Sequence, residues 1–452
     1  MNIIKDRPLF PIAMLLLCAF FINSFTSSAY LRIALTCLAI FFSVVISFAS
    51  RTRYRWNWPA AFLVALWAIA VFCGNNDIMS GDYSWIVFFS ATLLVTVLIG
   101  FGEANAFDGA IKMIASLGLF FALATIAMWV FPPLFDIVKE VFFSSSVSAR
   151  SYRSGFTAHY STNAIYITYG IICAFALLLF ESNKKRRLLK LASVVTCFFA
   201  LLLTTKRTHL VIAIVACMSM YLLSGNRHVG KRMAGLLVWV SLSLVVFSIA
   251  SQYIPELSAT IDRIAGLSDD DTFGGRSDLY SICSDLWEQS PIIGNGWGSF
   301  SKELYSSPAG MRFAAQGYYE IDAHNVFLQL LAESGVVGFC LFALWSIGTL
   351  LGTGRLSKAV AGQTISCRIL SASWGLQLFF LVYCFTGNPL YDPQMYIPCL
   401  LVGFGGYLFC WNTKRREDQH EQTAYSNKTG GLTAQSRNDV CAPAAKLKVR
   451  RA

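Results

Sequence analysis

The sequence predicts an all-α polytopic membrane protein with about 12 transmembrane helices and a large, partly helical periplasmic loop between spans 9 and 10. Two observations support this fold class. First, 56% of the 452 residues are hydrophobic and only 13% are charged, which is more apolar surface than one water-soluble core can bury. Second, the apolar residues fall into runs of roughly 17 to 25, the length that a helix needs to cross ~30 Å of hydrocarbon.

The predicted spans occupy residues 9–26, 31–50, 57–73, 84–101, 110–132, 162–181, 188–204, 209–223, 233–253, 326–350, 367–387 and 394–411. The first span lacks a small-residue cleavage site and others follow it, so we expect a membrane helix there and not a removed signal peptide. The chain then divides into residues 1–253 with spans 1–9 and a loop at 133–161, a loop domain at 254–323, residues 324–412 with spans 10–12, and a tail at 413–452. The tail is polar, and we expect it to be cytoplasmic and disordered.

Basic residues predict the orientation of the spans, because positively charged loops stay in the cytoplasm. With the N-terminus inside, the turns after even-numbered spans should be basic. Basic residues do follow spans two, six, eight, ten and twelve: Arg51, Arg53, Arg55, Lys184–Arg187, Arg227, Lys231, Arg232, Arg355, Lys358 and Lys414–Arg416. The net charge of +11 is therefore mostly cytoplasmic anchoring, and we expect no nucleic-acid partner.

The segment 254–323 is too polar to cross the membrane and too strongly patterned to be a simple linker. Within it, Leu279, Ile282 and Leu286, and less regularly Trp287, recur at helical spacing, which predicts an amphipathic helix that ends before Pro291. The sequence GNGWGSF, residues 294–300, follows. Its three glycines permit tight turns and close approach to another surface, so we expect this loop to fold back onto the core.

Several cations lie on the predicted outer side, against the insertion bias: Arg150, Arg153, Lys206, Arg207, Arg263, Arg276 and Arg312. Some of them could be ion-paired with the aspartates of the large loop or could reach lipid phosphates. Arg207 differs, because its turn is short and lies at membrane depth, where a cation is costly and indicates function. Guanidinium groups bind phosphate oxygens as a bidentate fork. Arg207 and Arg276 could together clamp the diphosphate of a polyprenyl-linked sugar in a bacterial membrane and stabilise it as it departs.

His324 lies where the large loop enters span ten, at the water boundary. A neutral imidazole there could take a proton from a sugar hydroxyl that attacks an anomeric carbon. Asn325 could cap the helix with its side-chain oxygen, and Asp322 could orient the imidazole. The alternative is a structural helix cap beside an interfacial histidine.

The stretch HNVFLQLLAESGVVG, residues 324–338, resembles the signature of the O-antigen ligase and polymerase superfamily. In that signature His-Asn is followed after nine residues by Gly, two more residues and a small residue, here His324, Asn325, Gly335 and Gly338. Looser similarities are RSGF at 153–156, TKR at 205–207, and the run from Gly275 to Phe300. The resemblance is tight over about 275–340 and loose over 150–215, and Lys206 departs from it by replacing the usual Ser.

The resemblance implies an inverting, metal-independent glycosyltransferase without a cofactor, whose donor is a glycan on undecaprenyl diphosphate. It implies His324, Arg276 and Arg207 as catalytic residues. We add Arg153, Lys206, Asn325 and Asp322 as substrate-binding residues. The implied partners are the lipid-linked glycan, a lipid A-core or growing glycan acceptor, and membrane lipids, at the periplasmic face of the bacterial inner membrane. Asp269–Asp271 could suggest a divalent cation, but three consecutive carboxylates are typical of a solvated turn.

Two classes of function remain open. Within the superfamily, a ligase transfers finished chains to lipid A-core, whereas a polymerase joins repeat units into O-antigen, capsule or exopolysaccharide, and the compact loop favours a ligase. The other class is a polysaccharide transporter or flippase. Transporters usually have two related halves, and this sequence contains no convincing internal repeat and an elaborate loop between spans nine and ten.

Overall fold

The computed structural model describes residues 9–21, 29–50, 57–73, 83–99, 103–143, 151–224, 276–315, 321–360 and 363–439. Within these ranges the chain is 86% helical and has no strand, so the predicted all-α class is confirmed. The ninth predicted span, Arg263 and Asp269–Asp271 lie outside the described residues.

The described chain contains sixteen α-helices in the following order. They are α1 Leu9–Phe21, α2 Ala29–Ser50, α3 Trp58–Phe72, α4 Tyr83–Ile99, α5 Ala104–Val130, α6 Pro132–Phe142, α7 Tyr160–Leu179, α8 Lys184–Leu203, α9 Arg207–Leu223, α10 Arg276–Gln289, α11 Ser299–Ser306, α12 Pro308–Ala315, α13 Val326–Ala359, α14 Thr364–Tyr383, α15 Pro393–Pro398 and α16 Gly405–Asp439. A π-helical stretch at Cys399–Phe404 joins α15 to α16.

Five helical segments of the described chain are long and apolar enough to cross a membrane: Ala104–Val130, Tyr160–Leu179, Val326–Ala359, Thr364–Tyr383 and Pro393–Thr423. Shorter apolar helices lie at Leu9–Phe21, Ile33–Phe48, Trp58–Phe72, Phe89–Leu98 and Arg207–Leu223. These segments make the chain an integral membrane protein. The number of twelve spans and their orientation stay predictions.

The core forms where α1, α5, α7 and α14 pack together. Gly118 of α5 and Gly170 of α7 meet so closely that a Cβ on Gly118 would lie 2.3 Å from the Cα of Gly170, which is the small-residue packing typical of membrane helices. The hydroxyl groups of Tyr166 and Tyr169 donate to the carbonyl oxygens of Ala19 (2.6 Å) and Met395 (2.7 Å). Two buried hydroxyl groups therefore connect α7 to α1 and to α15.

Helix α16 continues into the tail as far as Asp439, and the disorder expected for residues 413–452 stays a prediction. Lys414 and Asp418, one helical turn apart, form an ion pair at 2.8 Å, and such pairs support an exposed helix. Residues 440–452 lie outside the described part of the chain.

The segment 276–315 has a small core of its own, and the predicted amphipathic helix is confirmed. Helix α10 buries Leu279, Ile282, Cys283 and Leu286 against α11 and α13, while Trp287 is partly exposed. Arg312 of α12 forms an ion pair with Asp278 at 2.5 Å. The alternative that an outer cation is ion-paired with an aspartate of the large loop is therefore confirmed for Arg312.

Helix α13 is broken at Gly335, where the sequence predicted an uninterrupted span. Gly335 has φ 62° and ψ −167°, a region of backbone conformation that only glycine adopts without strain. The 34 residues of α13 would extend about 51 Å as one helix, well beyond a ~30 Å hydrocarbon layer. The break separates a short first section at 326–334, which contains the buried polar residues Gln329, Glu333 and Ser334, from a longer and more apolar second section.

The glycine loop, residues 290–298, satisfies the backbone groups that the break exposes. The N–H groups of Asn295 and Gly296 donate to the carbonyl oxygens of Ala332 (3.1 Å) and Glu333 (2.9 Å). On the other side of the break, Val336 and Val337 donate to the carbonyl oxygens of Pro291 and Ile292 at 2.9 and 3.1 Å. The expected close approach of this loop to the core is therefore confirmed. The loop supplies hydrogen-bond partners that the broken helix lacks and that lipid cannot provide.

We predict that Gly335→Ala will lower the free energy of unfolding by about 2 kcal/mol or more, because a Cβ would force a glycine-only conformation and would lie 2.3 Å from the carbonyl oxygen of Ile292. Gly403→Ala is the matched control, since its Cβ would meet nothing closer than 3.4 Å. Thermal unfolding of both variants in detergent is the measurement. Equal melting temperatures for both variants and the wild type would contradict the close fit of the glycine loop.

Candidate active site

Side chains at or next to the first residues of four helices interact with one another. Helix α7 begins after His159, α9 after Lys206, α10 at Arg276, and α13 after Asn325. Electrostatic interactions connect His324 to Arg276 and Lys206, and connect His159 to both Lys206 and His324. The amino end of a helix carries partial positive charge and free N–H groups. The region therefore combines four helix N-termini with cationic side chains, an environment that favours an anion.

His324 occupies a constrained turn in front of α13. Its φ is 55°, a left-handed conformation that is uncommon for a residue with a Cβ. The turn is held on its far side by Asn325, whose Oδ1 accepts hydrogen bonds from the N–H groups of Phe327 (3.0 Å) and Leu328 (3.2 Å), so the predicted helix cap is confirmed. The N–H of Val326 donates to the carbonyl oxygen of Cys384 at 2.9 Å. Such strain at one residue is typical of functional sites.

The surroundings keep the imidazole of His324 neutral. Although the residue is exposed, desolvation by the surrounding protein is the largest cause that lowers its pKa, and the positive charges of Arg276 and Lys206 add to it, giving a pKa of about 4. At neutral pH the imidazole therefore carries no charge and has a lone pair available. Two of the four cations predicted for the site, Arg276 and Lys206, act directly on it.

His159 is a second imidazole of the site that the sequence reasoning missed. Its Nδ1 accepts a hydrogen bond from the N–H of Ser161 at 3.1 Å, so in the neutral ring the proton lies on Nε2. Desolvation, and then the charges of Lys206 and His324, lower its pKa to about 4. His159 therefore offers a neutral Nε2–H donor beside His324. The signal that could have revealed it is that, like His324, it directly precedes an apolar span.

Lys206 lies over the ring of Tyr160, with its Nζ 4.1 Å from the ring centroid, a cation–π contact that fixes the ammonium group. The residue before it, Thr205, has φ 57° and is, with His324, one of the two non-glycine residues with positive φ in the described chain. Arg207 begins α9 directly after Lys206. The catalytic role of Arg207 stays a prediction. The charge of Lys206 lowers the pKa of both His159 and His324.

Tyr383, at the end of α14, is another residue that the sequence reasoning missed. It interacts with Ser161 through a hydrogen bond and lies within electrostatic range of Arg276, Asp392 and Tyr160. Its ring packs against His209, with centroids 4.8 Å apart. An ordinary apolar span ending in Tyr has no pattern that singles out such a residue.

The remaining predicted residues are placed less directly. The backbone carbonyl of Arg153 accepts a hydrogen bond from Asn163 Nδ2 at 2.8 Å, which ties its 3₁₀ turn to α7. Asp322 is half-buried and lies within electrostatic range of Tyr391. The binding role of Arg153 and the orienting role of Asp322 stay predictions.

This geometry lies largely within a segment that matches a known family. Residues 192–343 match the family model of O-antigen ligase. The predicted resemblance is therefore confirmed over about a third of the chain, which contains Lys206, Arg207, Arg276, Asp322 and the His324–Gly338 signature. A comparison with curated proteins finds no match.

The structure gives each residue of the O-antigen ligase signature a physical role. His324 presents its imidazole from a left-handed turn, and Asn325 caps α13. Gly335 allows the break in α13, and Gly338 leaves room for the hydroxyl of Ser334, which would lie 2.0 Å from a Cβ at that position. His324 and Asn325 therefore form the turn at the site, and Gly335 and Gly338 shape the helix that follows it.

We predict that Lys206→Gln will raise the pKa of His324 from about 4 toward 6.5, by roughly half to one pH unit, because it removes one of the cations that disfavour the imidazolium. The imidazole would then bind its proton at higher pH than in the wild type. Lys206→Arg retains the charge and is the control. The pKa is measured by NMR titration of labelled histidine rings, and the His324 signal is assigned by its absence in a His324→Ala variant. An unchanged pKa in Lys206→Gln would contradict the electrostatic contact between Lys206 and His324.

Proposed function

We propose that this protein transfers a glycan from undecaprenyl diphosphate to an acceptor hydroxyl at the periplasmic face of the bacterial inner membrane, as an O-antigen ligase acting on lipid A-core. The observation that carries the proposal is the convergence of His324, Arg276 and Lys206 at four helix N-termini, within and beside a segment that matches the O-antigen ligase family. A neutral base beside a strongly positive anion site suits a sugar donor whose leaving group is a diphosphate.

The proposed reaction is an inverting displacement. The acceptor oxygen bonds to the anomeric carbon on the face opposite the diphosphate, while the bond between that carbon and the diphosphate oxygen breaks and its electron pair stays on the diphosphate. The hydroxyl proton passes to His324. Arg276, Lys206 and Arg207 stabilise the negative charge that grows on the leaving group, and the N–H groups of the α9 terminus add to this effect. We propose that these cations take the place of a metal ion.

The low pKa of His324 has a consequence for this mechanism. In the free site, desolvation and the charges of Arg276 and Lys206 keep the imidazole a weak base with a pKa of about 4. A bound diphosphate would offset these positive charges and so raise the pKa of His324. We propose that the imidazole becomes an effective base only when the donor occupies the site.

We expect His324→Ala to abolish glycan transfer and to leave membrane insertion intact, because only the proposed base is removed. His420→Ala, at an exposed position of α16, is the matched control. The measurement is electrophoresis of surface glycans from a deletion strain complemented with each variant. Loss of lipopolysaccharide-attached chains with long polymer left on undecaprenyl diphosphate supports a ligase. Accumulation of single repeat units would indicate a polymerase, and normal glycans with His324→Ala would contradict the base assignment.

We expect Arg276→Lys to lower transfer at least about tenfold, because an ammonium group cannot replace the bidentate contact of a guanidinium with phosphate. Arg312→Lys is the matched control, since Arg312 is paired with Asp278 at the surface. Initial rates of both variants are compared in membrane vesicles with a lipid-linked donor. Full activity of Arg276→Lys would reduce Arg276 to a general positive charge.

A further inference from the structure

A buried carboxylate lies in the short section of α13 before Gly335 and has no part in the proposed mechanism. Glu333 is 1% exposed, in a helix that enters the membrane domain. A carboxylate in such a place is costly unless several hydrogen bonds stabilise it. Its Oε2 accepts a hydrogen bond from the hydroxyl of Tyr391 at 2.7 Å, and its Oε1 accepts one from Nε2 of Gln329 at 3.3 Å.

Gln329 connects this carboxylate to the turn that carries His324. Its amide is 1% exposed, and its Oε1 accepts hydrogen bonds from the N–H of Ala323 at 3.2 Å and from Nδ2 of Asn388. Because Glu333 can only accept in its ionised form, it requires the nitrogen of the Gln329 amide to face it. The oxygen of that amide must then face Ala323, the residue directly before His324.

The partners of Glu333 are themselves held in place. The ring of Trp297, in the glycine loop, stacks on Tyr391 with centroids 4.9 Å apart and an angle of 27°. Burial, and then the charge and hydrogen bond of Glu333, raise the pKa of Tyr391 far above its ordinary value, so its hydroxyl remains a donor. The glycine loop therefore holds the ring of Tyr391, and the hydroxyl of Tyr391 holds the carboxylate of Glu333.

We propose that Glu333 is a positioning residue for His324. Through the Gln329 amide it holds the N–H of Ala323 and so stabilises the left-handed turn that presents the imidazole to the acceptor hydroxyl. Three hydrogen-bonded points surround the turn: Ala323 N–H, the Asn325 cap and Val326 N–H. Among these, the first depends on a side-chain network that runs through Gln329 to the carboxyl group of Glu333. This role rests on the proposed function, because it acts only through His324.

The test separates turnover from binding in a transfer assay with the full chain in membrane vesicles. We expect Glu333→Leu, which removes both acceptors at similar volume, to lower kcat at least about tenfold while KM for the lipid-linked donor changes less than about twofold. Glu333→Gln, which can still accept from Gln329, should recover most of the turnover. Ser346→Ala is the matched control, because Ser346 is buried in the same helix and bonds only within it.

A second variant keeps the proposal testable if Glu333→Leu fails to insert. Gln329→Met removes the amide that holds Ala323 and leaves the pair of Glu333 and Tyr391 in place. A loss of kcat in this variant, and no further loss when both substitutions are combined, supports the positioning role. Wild-type kcat in Gln329→Met, or in an inserted Glu333→Leu protein, overturns it. If wild type and His324→Ala give equal product, the proposed function itself fails, which is a different outcome.

Discussion

The rest of the structure depends on how the broken helix α13 satisfies its backbone. A helix that is opened at Gly335 leaves carbonyl and N–H groups without helical partners, and lipid cannot supply others. The glycine loop supplies them on both sides of the break. This exchange docks the 276–315 segment onto the membrane helices and so brings Arg276 within electrostatic range of His324. One break in one helix therefore connects the architecture to the candidate active site.

The electrostatic character of the site follows from helix direction as much as from side chains. The residues that interact at the site, His159, Lys206, Arg276 and His324, lie at or next to the first residues of α7, α9, α10 and α13, and a helix N-terminus carries partial positive charge. A cation at a helix N-terminus is unfavourable by itself. Nearby cations also lower the pKa of His159 and of His324, so both imidazoles stay neutral. An anionic ligand relieves both effects at once.

Hydropathy predicted the helices well, because a bilayer demands long apolar runs whatever their partners. It did not predict the break in α13, since Gly335 looks like any glycine of a membrane helix until the loop about forty residues earlier is placed against it. His324 could be predicted from the signature at 324–338, and Arg276 from the looser similarity between Gly275 and Phe300. His159 could not, because its approach to His324 arises from the packing of α7 against helices far away in sequence. Gln329, Glu333 and Tyr391 were missed for the same reason.

The position of the last contacts has a consequence for the order in which the molecule is completed. The turn at His324 is held by the carbonyl of Cys384, and the network beneath it needs Asn388 and Tyr391, all of which are synthesised some sixty residues later. The glycine loop, by contrast, is made before the helix that it must join. A nascent chain thus contains His324, Arg276 and Lys206 before it can hold them together. The turn at His324 therefore reaches its final arrangement only after α14 and the segment that follows it have been made.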